Sequence, residues 1–349
     1  MKRTDIEWTA THKPDGTAEP GLSSNPLQYR DADGRVVWAC VKHSSGCANC
    51  YSEAIATRWE RGKPFTRANM EGLTPFLCDK EVKHILTAKQ IGGLPVAGSK
   101  CFLGDMTDVF GDWVSDELLD KLFGVMALRQ DVTFQVLTKR ADRMAAYFNL
   151  RAGLESRQEA VAAYAQHTGK IVWDPRGSDP VNYGTVPRSS AAEIANRRAW
   201  PGWPLPNVWL GVSAENQAYW DERVPHLRRT PAAVRFVSVE PQVGGIDAAP
   251  LLSAPAGDGD GPIHWLICGG ESGSRGGVRM FNLEWARALR DQCAAANVPF
   301  FFKQAGSVPY YQTPDMHGPQ LLHLGGKGGD PDEWPSDLRV RQWPGEVRS

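Results

Sequence analysis

Cys40, Cys47 and Cys50 fall within eleven residues of one another in the pattern C-x6-C-x2-C. Thiolates are soft ligands, and clustered cysteines in a reducing compartment are metal donors more often than disulfide partners. Three thiolates on one loop can hold three irons of a four-iron cluster and leave the fourth iron open to a substrate or cofactor. A structural zinc site instead closes all four positions. His43 lies inside the loop and would complete a Cys3His zinc tetrahedron, so the residues alone leave iron–sulfur cluster, zinc and plain structural thiols as alternatives. Gly46, just before the second cysteine, permits a tight backbone approach.

Such a loop needs a scaffold, and short runs rich in Val, Ile and Phe recur at 36–40, 101–103, 133–137, 208–212, 234–239, 264–268 and 299–302. Nearly every run ends on charged or hydroxyl residues, and helical stretches intervene, which is the mark of βα units. The pattern predicts an α/β fold with seven strands in a parallel sheet or (β/α) partial TIM-like barrel. Helices are expected at 116–130, with Ser115 as N-cap, and at 284–297, with Asn282 near its start. Residues 1–35 read as an N-terminal extension and 36–306 as the barrel. The span of about 149–206 exceeds an ordinary βα connection and reads as an insertion between the third and fourth strands. Residues 307–349 form a loop-rich C-terminal extension, placed to cover the open face.

The strand ends collect chemistry: Asp105 and Asp108, Thr138 to Arg140, Ser213 and Glu215, Glu240, Glu271 and Lys303. C-terminal strand ends of such a barrel share one face, where active sites are built. The 36–40 run would place the cysteine loop on that face as well. Arg140 offers bidentate and Lys139 point-charge recognition of a carboxylate or phosphate. Glu240 follows an apolar strand and precedes Pro241, so an unpaired carboxylate there is costly and must face a ligand or a cation such as Lys303. Gly269-Gly-Glu-Ser-Gly273 lacks the Lys and Ser/Thr of a phosphate-binding loop.

Composition narrows the classes. The 349 residues are 42% hydrophobic, ample for a core, and 39 Lys plus Arg nearly balance 40 Asp plus Glu. A net charge of -1 gives no global field for nucleic acid or membrane. No apolar run has the length of a membrane span and no secretory segment opens the chain, so the protein is expected to be cytoplasmic. Seven cysteines, an odd number, argue against a disulfide framework, and Cys78, Cys101, Cys268 and Cys293 are expected as buried thiols. Most of the thirteen tryptophans are expected in the core. The basic and aromatic stretch from Arg197 to Trp203 keeps a nucleic-acid contact open.

A three-cysteine loop after the first strand of a partial barrel resembles the radical S-adenosylmethionine superfamily, whose usual spacing, C-x3-C-x2-C, is shorter by three residues. More closely, Ile6-Glu7-Trp8-Thr9, Gly46-Cys-Ala-Asn-Cys-Tyr51, Leu137-Thr-Lys-Arg140, Val208 to Asn216, Ser238-Val-Glu-Pro241, Gly269 to Gly273 and Phe301-Phe-Lys-Gln304 are similar to the phage and bacterial three-Cys-motif family, a resemblance that spans residues 6 to about 306. It implies a [4Fe-4S] cluster on Cys40, Cys47 and Cys50, and S-adenosyl-L-methionine held by Asp105, Lys139, Ser213, Glu215 and Gly270. Glu240, Glu271, Arg140 and Lys303 fall on the substrate side. It further implies a flavodoxin or ferredoxin as electron donor, reductive cleavage of the sulfonium, and hydrogen abstraction from a substrate such as a nucleotide or nucleic acid. The competing expectation is a zinc-stabilised nucleic-acid-binding phage accessory protein without enzymatic activity. A metal-dependent hydrolase is disfavoured because the strand ends lack histidines.

Overall fold

Strands buried on both faces read as nearly unbroken apolar runs, and the central sheet is made of them. A computed structural model of the chain describes residues 1–12, 17–59, 62–148, 159, 161, 203–257, 259–312 and 316–345. Its main sheet has eight strands: β1 (Lys2–Arg3), β2 (Leu22–Ser24), β3 (Lys100–Leu103), β4 (Thr133–Thr138), β5 (Val208–Ser213), β6 (Val234–Val239), β7 (Trp265–Gly269) and β8 (Phe300–Gln304). They lie side by side in chain order, β1 antiparallel to β2 and every later pair parallel. Among the described residues β1 and β8 do not pair with each other. The expected α/β class is therefore observed as a large, mostly parallel sheet, and no closed sheet is detected among the described residues.

The expected first strand is a correction. Of the run 36–40 only Val36–Val37 pairs, antiparallel to Leu27–Arg30, which also pairs with Thr74–Leu77 in a separate three-stranded sheet. The cause is the turn Asp31-Ala-Asp-Gly34: Asp31 Oδ1 accepts the N–H groups of Asp33 and Arg35 (3.0 and 2.9 Å), and Gly34 sits at φ 78°. That is hairpin chemistry. The true first parallel strand, β2, is three residues long and too short to show a period.

Helices α1 (Tyr51–Trp59), α2 (Asp116–Ala127), α3 (Ala141–Phe148), α4 (Gln217–Arg229) and α5 (Leu283–Ala295) lie in the connections. The expected caps form: Ser115 Oγ accepts from the Leu118 N–H (3.3 Å) and Asn282 Oδ1 from the Glu284 N–H (3.1 Å). Among the described residues no helix is long and apolar enough to cross a membrane.

One face of the sheet carries an aromatic layer. Parallel register puts Phe102 and Trp209 on the same face, Phe236 beside Trp265, and Ile267 beside Phe301. Trp8, in a 3-10 turn over Glu7–Thr9, packs on Phe102 (ring centroids 4.8 Å apart), Phe236 (6.0 Å) and Trp265 (6.4 Å), and Trp343 packs on Phe301 (4.9 Å). Such tilted and edge-on contacts suit the ring quadrupoles. Both terminal segments are thus part of the sheet's core. Residues 1–35 supply β1, β2 and Trp8, so they are no mere extension of the sheet.

The C-terminal segment caps the β8 edge. Phe302 N–H donates to Val340 O (2.8 Å) and Gln342 N–H to Phe300 O (3.0 Å). Arg341 lies between the rings of Phe301 and Trp334 and donates to the carbonyls of Phe302 and Lys303 (3.3 and 3.0 Å). An exposed parallel edge invites pairing with another chain, and this strap occupies it. The expected insertion at 149–206 apart from residues 159, 161 and 203–206, and the Arg197 to Trp203 stretch apart from Trp203 itself, lie outside the described residues.

Candidate functional site

The cysteine loop leaves the Leu27–Arg30 hairpin and occupies the connection between β2 and β3. It narrows to one 3-10 turn, Ser45–Cys47, and Tyr51 starts α1 directly after Cys50. All seven cysteines are free thiols; Cys101, Cys268 and Cys293 are buried as expected, while Cys78 is half-buried. The His43 N–H points at Cys47 Sγ (3.5 Å), and Ser44 Oγ lies 3.9 Å from the same sulfur. Burial pushes the Cys40 thiol up to about 12, and the nearby Asp108 carboxylate adds to the shift.

What distinguishes this loop is how thoroughly its backbone is tied to the strand ends. Ala39 O accepts from Thr107 Oγ1 (2.7 Å) and Val41 O from Arg140 Nη2 (2.8 Å). Ser44 Oγ donates to Glu215 Oε1 (2.6 Å), and Ser45 O accepts from Arg279 Nη1 (2.9 Å). Asn49 Nδ2 donates to Glu271 Oε2 (3.0 Å) and Gly277 O (2.9 Å). Tyr51 Oη and Ser52 Oγ both donate to Asp105 O (2.7 Å each). Hydrogen bonds to charged groups are the stronger kind, and those of Arg140, Glu215, and Glu271 with Arg279 join the loop to three separate stretches of chain.

Those charged groups are themselves braced. Asp108, after β3, accepts from Arg140 (3.0 Å), from Thr138 Oγ1 (2.6 Å) and from the Lys139 N–H (3.1 Å). Glu215, after β5, is 0% exposed and meets Lys139 Nζ at 2.6 Å and Arg223 Nη1 at 3.1 Å. Burial alone would raise its pKa, but Lys139 and then Arg223 outweigh burial and hold it below the ordinary carboxylate value. A side chain at Gly46 would run into this carboxylate, its Cβ falling 2.1 Å from Oε1. Glu271, after β7, is gripped by Arg279 and Asn49, which overcome the cost of burial and lower its pKa.

The predicted site residues therefore do share the sheet's C-terminal edge, but most of them face the loop. Lys139, Arg140, Glu215 and Glu271 are engaged in holding it. Asp105 takes a hydrogen bond from Asn25, and burial raises its pKa. Gly270 offers no open cradle, because a Cβ there would lie 2.6 Å from Ala305 O. Ser213 is buried, and its carbonyl accepts from Arg223 (2.9 Å). Asn216 caps α4. The pair apart from the loop is Glu240 and Lys303, 3.1 Å from each other across the ends of β6 and β8, with Ser238 Oγ donating to Glu240 (3.1 Å). Ser44, Asn49, Arg223 and Arg279 went unnoticed in the sequence. The only signal for Arg279 was its place at the end of the glycine-rich turn that carries Glu271.

Tetrahedral zinc, with Zn–S of about 2.3 Å, needs its donors within roughly 4 Å of each other. Among the described residues no three His, Cys, Asp or Glu side chains are gathered into a group that could hold a metal ion, which favours neither zinc nor an iron–sulfur cluster. A four-iron cluster takes one thiolate on each of three irons and so asks for a wider triangle. Cys40, Cys47 and Cys50 are free thiols on one loop and are the residues that would hold such a group.

No curated protein and no solved structure matches the chain. Residues 25–323 match the family described as "Protein of unknown function (DUF5131)", a span that takes in the cysteine loop and every strand-end residue named above. The chain belongs to that family.

Proposed function

We propose that this protein is a radical S-adenosylmethionine-type enzyme, its mostly parallel sheet serving as a partial (β/α) barrel and Cys40, Cys47 and Cys50 as the ligands of a [4Fe-4S] cluster. The observation that carries the proposal is the clamp: three strand ends spend charges on residues between three free thiols, Arg140 on the Val41 carbonyl, Glu215 on the Ser44 hydroxyl and Glu271 on the Asn49 amide. A loop with no ligand to hold would not need such positioning.

Reduced by a flavodoxin- or ferredoxin-type donor, such a cluster supplies the single electron that splits the sulfonium of S-adenosylmethionine. The chain's own residues fix geometry and exclude water. Glu215 and Ser44 set the turn that carries Cys47, Arg140 sets the carbonyl after Cys40, and Glu271 with Asn49 sets the residue before Cys50. The aromatic layer under the edge keeps water from approaching through the sheet. Asp105, after β3, takes hydrogen bonds at its carbonyl from Tyr51 and Ser52 at the start of α1, and Glu240 and Lys303 face the substrate side.

Anaerobic reconstitution with iron and sulfide should give about four irons per chain and broad visible absorption. Addition of S-adenosylmethionine and reductant should yield 5'-deoxyadenosine, and Cys47→Ala should abolish both signals. Stoichiometric zinc without visible absorption would instead support the zinc-stabilised accessory protein and sink the enzyme.

A further inference from the structure

Glu240 and Lys303 stand where the substrate is expected, and their surroundings narrow what that substrate can be. Their side chains are mostly but not wholly buried, 13% and 19% exposed. Ser238 occupies Glu240 Oε2, whereas Oε1 lies 3.1 Å from the ammonium yet accepts no aligned hydrogen bond among the described residues. A buried carboxylate oxygen in that condition is costly unless a ligand completes it. Gly269 makes room for it: a Cβ there would lie 2.7 Å from Oε1. The layer beneath, Ile267 and Phe301, is fully buried and apolar, which strengthens any hydrogen bond made above it.

The charges of the pair cancel, so neither ion is favoured: a phosphate would be repelled by Glu240 and a cation by Lys303. A neutral ligand that places an N–H beside a C=O meets both groups at once, the carboxylate accepting and the ammonium donating. Resting on the enzymatic function proposed above, we propose that Glu240 and Lys303 bind the lactam edge of a nucleobase, guanine or uracil in kind, as the recognition element for the substrate.

Binding of guanosine and uridine to the full-length chain, as isolated and after iron loading, is measured by calorimetry beside adenosine, 1-methylguanosine and 3-methyluridine. Guanosine or uridine should bind, with its N-methylated form weaker by about tenfold or more, the scale of one bidentate base contact. Glu240→Gln, which replaces one of the two acceptor oxygens by a donor and removes the charge, should weaken binding comparably while its melting curve stays near wild type. A short single-stranded oligonucleotide of the preferred base, compared with the free nucleoside, tells a polymer substrate from a free one. Equal affinity for the N-methylated base, unchanged binding by the Glu240→Gln chain, or no binding to the wild type at millimolar nucleoside would overturn the assignment. Iron content and 5'-deoxyadenosine yield, read on the same samples, show separately whether the enzymatic proposal stands.

Discussion

The C-terminal edge of the sheet holds two kinds of charged residue that look alike in sequence and differ in structure. The ends of β3, β4, β5 and β7 reach into the cysteine loop, where Asp108 with Arg140, Glu215 with Lys139 and Arg223, and Glu271 with Arg279 pin its backbone. Among the described residues Glu240 and Lys303, at the ends of β6 and β8, pair with each other and make no hydrogen bond to the loop. A charge at a strand end is thus not in itself a mark of ligand contact. What separates the two groups is whether a second chain segment has already claimed the charge. The difference is measurable, since a claimed charge should cost stability when removed and an unclaimed one should cost binding.

Glu215 gives the largest expected effect. Glu215→Ala removes the carboxylate that Lys139 and Arg223 share in a buried setting, and breaking a buried pair from one side costs about 3–5 kcal/mol. Urea denaturation of the variant should show that loss, and Glu215→Gln, which keeps the shape and one acceptor, should recover part of it. Glu240→Gln should shift the same curve by less than about 1 kcal/mol. Equal losses at both positions would erase the distinction.

Gly46→Ala probes the clamp from the loop side. The new Cβ meets the Glu215 carboxylate, and overpacking of this kind costs about 1–3 kcal/mol. The turn that carries Cys47 must shift, so alkylation of the loop thiols in the cluster-free protein should accelerate. Arg279→Ala should act in the same direction with a smaller loss, about 1–2 kcal/mol, because Arg279 is one-third exposed and its ion pair is partly screened. An Arg279→Ala chain with wild-type thiol reactivity would mean that Glu271 and Asn49 hold the loop without it.

The sheet was legible in the sequence because strands buried on both faces announce themselves as apolar runs: β3 to β8 fall where the runs do. The site was legible only in outline. Which strand ends share an edge follows from parallel order, so Asp105, Lys139, Glu215, Glu271 and Lys303 could be placed together. What they touch could not be foreseen, because contacts such as Asn49 with Glu271 or Ser44 with Glu215 span 222 and 171 residues and leave no periodic trace. The 36–40 run misled for the opposite reason: five apolar or small residues look like a buried strand, and the Asp31 to Gly34 turn that makes them a hairpin is a four-residue signal. β2 was hidden by its own brevity.

The smallest effect belongs to a charge cluster far from this edge, and it calibrates the others. Asp337 accepts from Arg287 Nε (2.8 Å) and from Arg290 Nη1 (2.7 Å), and these bonds, Arg287 first, hold its pKa down to about 2 from an ordinary 3.8. A carboxylate whose folded pKa is depressed adds stability above its unfolded value, and that stability fades as pH falls from 3.8 toward about 2. The side chain is 43% exposed, so solvent screening trims the contribution to less than about 1 kcal/mol. Asp337→Asn should therefore lower the melting temperature slightly at pH 7 and low salt, with the gap to wild type closing below pH 3 and again in molar salt. Glu215, 0% exposed and between two cations, should keep most of its effect in the same salt, because water and ions do not reach it. Salt that erased both losses alike would place Glu215 with the surface pairs and remove the physical basis for calling the loop clamped.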